Sequence, residues 1–197
     1  MHHYFIGKLL NEDDSKNLSG AQSYIVKKTG SKKITNLNAK FAYLGYMDEE
    51  TFLQLQDKIS NILGSISDNF APHTCKYTGF DITGEKTTKK SISVLYENDV
   101  ITKILVPYLR SYLSPITGES NVFFPHVSLA RIDVQNINDE IRDIVSKVFI
   151  PKYNPTFKID TIDIMKGIPK VVRSGPSSKL DEMDMVLVSS YKLVGSA

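Results

Sequence analysis

Apolar residues along this chain recur at a spacing of two, then at spacings of three and four, and the switch repeats from one end to the other. A chain patterned in this way folds as strands interleaved with helices. Residues 4–9 read as a strand. Residues 11–33 carry Leu18, Ala21, Tyr24 and Ile25 at helical spacing, with Gly30 as a breaker. Residues 37–44 are a strand ending at Gly45, after which Asp48 can cap a helix whose Phe52, Leu55, Ile59, Ile62 and Leu63 form one stripe until Gly64. Residues 75–83 and 91–96 read as a hairpin around the polar turn 84–90. Helical spacing returns over 99–113, where Pro107 kinks the helix or sits near its start. A strand over 122–132, a helix over 138–148 and strands over 157–165 and 183–193 complete the pattern.

The element order, strand and helix followed by strands able to pair, nearly repeats between the two halves. The economical packing is an α+β fold of two pseudo-symmetric lobes, each an antiparallel-rich curved sheet with helices outside, facing each other across a cleft. At 197 residues, the whole chain 1–197 suffices for one such two-lobed domain. The polar segment 167–181, with Lys170, Arg173 and Lys179, reads as a long surface loop or a lid over the cleft. With 24 Lys and Arg against 22 Asp and Glu, the net charge of +2 excludes nucleic-acid binding by bulk charge, so any polyanion site must be local. Two lysine groups offer local charge: Lys27, Lys28, Lys32 and Lys33, then Lys86, Lys89 and Lys90. The single cysteine, Cys75, excludes an internal disulfide and suits a reducing compartment, so a cytoplasmic location is expected. No apolar run is long enough to span a membrane.

Chemistry concentrates in Phe123-Phe124-Pro125-His126-Val127-Ser128-Leu129-Ala130-Arg131. Strand alternation points His126 and Ser128 to one surface and Val127 and Leu129 to the other. An imidazole exchanges a proton near neutral pH, a neighbouring hydroxyl bonds a phosphate oxygen, and Arg131 adds positive charge. The other histidines, His2, His3 and His73, are scattered without metal-ligand spacing, so neither metal nor cofactor is expected. His2 and His3 read as a frayed end, and His73 as a solvated loop residue. No glycine-rich phosphate loop, dinucleotide turn or nucleophile elbow is present in the sequence.

The stretch 125–131 resembles the second signature of the two-histidine phosphoesterase superfamily, the LigT-like RNA ligase and cyclic phosphodiesterase group: His, any residue, Thr or Ser, then an apolar residue. Phe41-Ala42-Tyr43-Leu44-Gly45, followed by Asp48 and Glu49, resembles the tail of the first signature. The resemblance spans almost the entire chain. It implies a metal-independent phosphodiesterase whose cleft receives one His and one Thr or Ser from each half. Its expected partners are RNA ends or small nucleotides with 2',3'-cyclic or 2',5'-linked phosphate. Aligning Tyr43-Leu44-Gly45 puts Asn38 at the first His and Lys40 at the first Thr or Ser, so the acid and base pair is broken. The residues implied are His126 and Ser128 for catalysis, with Asn38, Lys40, Arg131, Tyr43 and Phe124 on the substrate. The alternative is an inactive relative that binds a nucleotide, RNA or a protein partner in the same cleft.

Overall fold

A computed structural model describes residues 1–84, 88–117, 124–150, 155–171 and 180–195. The strands are β1 (His2–Leu9), β2 (Lys32–Lys33), β3 (Asn38–Met47), β4 (His73–Thr83), β5 (Lys89–Glu97), β6 (His126–Asp133), β7 (Thr156–Ile159), β8 (Thr161–Val171) and β9 (Leu180–Lys192). The α-helices are α1 (Glu12–Thr29), α2 (Glu49–Asn69), α3 (Val106–Thr117) and α4 (Asp139–Ser146). The fold is α+β, built on a strongly curled antiparallel sheet.

Helix ends follow local chemistry. Asn11, Asp48 and Asn138 each accept a hydrogen bond from a backbone N–H three residues on, and Gly30 closes α1 in the left-handed region at φ 64°. Gly64, in contrast, does not stop α2. A glycine inside a helix costs about 1 kcal/mol, whereas burying a side chain such as Ile66 contributes roughly 1.5–3 kcal/mol, so the stripe carries the helix through to Asn69. Pro107 sits at the start of α3, just after a π-helical segment, Val100–Leu105. There the Val106 N–H reaches back five residues to the Ile101 carbonyl.

Among the described residues, nine strands form one sheet in the order β7-β4-β5-β6-β3-β1-β8-β9, with β2 added beside β6. The strands make one continuous sheet, and each side of it draws strands from both halves of the chain. The halves β7-β4-β5-β6 and β3-β1-β8-β9 meet at the β3–β6 ladder, which holds a single pair, Ala39 opposite Val127. One face packs on the helices: Tyr4 stacks on Phe52 of α2 with centroids 4.0 Å apart, and Ile6, Leu18, Ile92, Val127 and Leu129 are fully buried.

Two expectations need correction. The strand expected over 157–165 is two strands, because the chain breaks at Asp160, whose carboxylate takes the Lys8 ammonium at 2.7 Å. β7 stays at one sheet edge beside β4, while β8 joins the opposite half beside β1. Segment 167–181 is not a loop at its ends either: β8 and β9 pair through Val171 opposite Leu180, and residues 172–179 lie outside the described residues. A ladder is made by the main chain, so polar composition did not prevent pairing.

Cys75, on β4, is fully buried, and that burial pushes its thiol up to about 12. At pH 8 only roughly one thiol in ten thousand is then ionised. A thiol reagent should label one group per chain in denaturant and essentially none in native buffer within an hour; labelling at equal rates in both would contradict the burial.

Candidate functional site

The register builds the site. Since Ala39 lies opposite Val127, antiparallel pairing sets Lys40 across from His126 and Asn38 across from Ser128, all four on the surface away from the helices. On the other side of β6, Leu95 pairs with His126, Ser93 with Ser128 and Ser91 with Arg131. The Lys32 backbone of β2 pairs with Arg131 as well. Three rows thus cross the cleft floor: Lys40, His126, Leu95; then Asn38, Ser128, Ser93; then Lys32, Arg131, Ser91.

Arg131 reaches this surface through an irregularity. Three residues separate it from Ser128, so strict alternation would turn it toward the helices. A bulge absorbs Leu129, since Ser93 and Ile92 face Ser128 and Ala130 respectively. The Leu129 carbonyl accepts the Ile34 N–H at 2.9 Å and the Gln22 side-chain amide at 2.8 Å, and Gln22 donates a further bond to the Ile34 carbonyl. That buried glutamine fixes the bulge and hence the aim of Arg131.

His126 is half-buried. Its Nδ1 lies 2.8 Å from the Phe124 carbonyl, which can only accept, so Nδ1 carries the proton and Nε2 is left as the basic atom. Burial lowers the imidazole pKa from its ordinary value and the Lys40 charge lowers it further, against the raising effect of the Phe124 bond. Neutral His126 at pH 7 is a proton acceptor. The Lys40 ammonium stands 4.2 Å from the centre of the Phe5 ring, a cation–π contact that holds it over the cleft floor. Asn38 is 7% exposed, and its amide donates to the Asn36 carbonyl at 2.9 Å. Ser128 receives the Ser93 hydroxyl at 3.5 Å, which in turn lies 2.7 Å from the Thr83 hydroxyl.

Asn38, Lys40, Ser128 and Arg131 line one open cavity, together with Lys32, Lys33, Ser91, Asp184 and Met185. Its sole described carboxylate, Asp184, takes the Thr35 hydroxyl at 2.8 Å, while the Asn36 amide holds the Met185 carbonyl at 3.0 Å. Four cationic side chains against one carboxylate make this a place for an anion.

Of the substrate residues read from the sequence, Tyr43 lies behind Lys40, its ring 5.1 Å from Phe5, and Phe124 is exposed with its ring 5.8 Å from that of His126. Phe123 is outside the described residues. Tyr4, in contrast, belongs to the core. His73 opens β4 opposite Ile159, in the outer half of the sheet and away from the site row. His3 corrects the expectation of a frayed end: it pairs with Tyr46 in β3 and Gly167 in β8, and its Nδ1 lies 2.7 Å from the Tyr43 hydroxyl. Ser91 and Ser93 were missed, although their spacing of two on a predicted strand was the available signal.

No protein-family model matches the sequence, and no curated protein matches it either. Solved structures do. TT0787 of Thermus thermophilus aligns with a TM-score of 0.68 at 16% identity, covering 99% of this chain and 100% of that one. E. coli LigT in its apo form aligns at 0.63 and 16%, covering 97% and 96%. Usb1 of Kluyveromyces marxianus, solved with uridine monophosphate, aligns at 0.59 and 10%, covering 98% and 97%. Identities this low speak for the course of the backbone, and on that ground the chain has the fold of the LigT-like two-histidine phosphoesterases.

Proposed function

We propose that this cleft receives the phosphate of an RNA end or small nucleotide, 2',3'-cyclic or 2',5'-linked, with His126 as the imidazole that exchanges a proton. The observation that carries the reading is the Ala39–Val127 register, which puts Lys40 and Asn38 across from His126 and Ser128 above a cationic cavity. LigT has been solved with 3'-AMP and with phosphate, which supports a nucleotide ligand here. In hydrolysis, His126 Nε2 takes a proton from the attacking water as the new P–O bond forms. The old P–O bond breaks, and the Lys40 ammonium gives its proton to the leaving oxygen. Ser128 and Asn38 hold the non-bridging oxygens. A lysine is a poorer acid than an imidazolium at neutral pH, so turnover is slow. A binding-only role, toward a nucleotide or a protein partner, is favoured by one observation: Asn38, tied to Asn36, has no proton to exchange.

Turnover of uridine 2',3'-cyclic phosphate decides between the two. His126→Ala should lower it by about 10² to 10⁴. Nucleotide binding without turnover would leave the binding-only role, and neither binding nor turnover would remove both. The pH dependence has a definite sign. An anion beside His126 raises the imidazole pKa, so binding takes up a proton and affinity for a phosphodiester, which does not titrate here, rises as pH falls from 8 toward 6. His126→Ala should flatten that rise. Because the folded chain holds this proton less well than the unfolded one, the unliganded protein loses stability as pH drops below the ordinary histidine value of 6.5.

A further inference from the structure

The cationic lining continues past the row that faces the first phosphate. Beyond the Asn38–Ser128 row lies the row of Lys32, Arg131 and Ser91, with Lys33 at its margin. With the bulge discounted, Ser128 and Arg131 are two strand rises apart, about 7 Å, which is comparable with the step between successive phosphates of an extended nucleic-acid strand. Arg131 is half-buried in the cavity wall and, among the described residues, pairs with no carboxylate. An arginine directed into a cavity offers a planar fork of donors that matches a phosphate.

Resting on the reading above, we infer that Arg131, Lys32 and Ser91 form a second phosphate subsite, one nucleotide step from the first. The cleft would thereby select ligands with two phosphates, an oligonucleotide end or a nucleoside bisphosphate, over mononucleotides. Gln22 serves this subsite as a positioning residue, since its hold on the Leu129 carbonyl maintains the bulge that turns Arg131 to the cleft. Asp184, which also lines the cavity, is held by the Thr35 hydroxyl.

The test compares dissociation constants of adenosine 3'-monophosphate, adenosine 5'-monophosphate and adenosine 3',5'-bisphosphate by calorimetry at fixed ionic strength. The bisphosphate should bind at least about tenfold more tightly than either monophosphate, the scale of one added charge-assisted contact. The readout is the ratio of these affinities. Arg131→Gln with Lys32→Gln should bring it close to one, and Gln22→Leu, checked for retained fold by circular dichroism, should reduce it severalfold. A ratio near one in the unaltered protein, or an unchanged ratio in the double variant, overturns the second subsite while the first stands. Absence of binding by all three nucleotides overturns both.

Discussion

Gly7→Ala is expected to cost the folded protein about 3 kcal/mol or more, an effect in the range reserved for overpacking that cannot relax. Gly7 sits in β1 between β3 and β8, at an irregularity in the β1–β3 register. A methyl carbon there would press into the carbonyl oxygen of Ala39, and would stand 2.9 Å from Met165 Cε and 3.0 Å from the Ala39 carbonyl carbon. The methionine end can swing away; the carbonyl cannot, because Ala39 is also the residue that joins the sheet halves through Val127. Strain at Gly7 therefore reaches the site as well as the core. Gly64→Ala is the control: nothing lies within 4 Å of its added carbon, and a mid-helix alanine should stabilise by up to about 1 kcal/mol. Urea denaturation of the two variants measures the contrast. A Gly7→Ala midpoint indistinguishable from that of the unaltered chain would refute the packing described.

If positions 38 and 40 correspond to the His and Thr of the family pattern, Asn38→His with Lys40→Thr should raise turnover of a 2',3'-cyclic nucleotide by about 10² to 10⁴, the scale of one positioned acid or base. The new imidazole would enter across the strand pair from Ser128, on the surface that already carries His126, and the threonine hydroxyl would face His126 as Asn38 now faces Ser128. Loss of Lys40 also removes a charge that depresses the His126 pKa, easing its use as an acid. Asn38→His alone should gain less, since Lys40 would hold both imidazoles deprotonated. A double variant that folds normally and turns over no faster than the unaltered chain would count against position 38 as the place of a second imidazole.

The elements were legible wherever the pattern was local. Asn11, Asp48 and Asn138 mark helix starts because the cap needs only neighbours, and burial alternates along the start of β6 as period two requires. What escaped depends on distant partners. Arg131 was named from the motif, but the bulge that carries it to the cleft face, against strict alternation, was not, because it is pinned by Gln22, 107 residues before Leu129. The β8–β9 arms look like loop because ladder pairing leaves no mark on side chains of mixed polarity. His3 looks frayed until β3 and β8 are seen to flank it. The separation of β7 from β8 likewise follows from distant partners, β4 for the first and β1 for the second, with Asp160 between them held by Lys8.

The joint between β3 and β6 has a mechanical consequence. A single ladder pair joins β3 to β6, and the link from β2 to β3 spans the seam as well: Lys32 and Lys33 pair with β6, Ile34 donates to Leu129, and Thr35 and Asn36 are tied to β9. Changes in those clasps would alter which ligands fit while leaving the buried interior untouched.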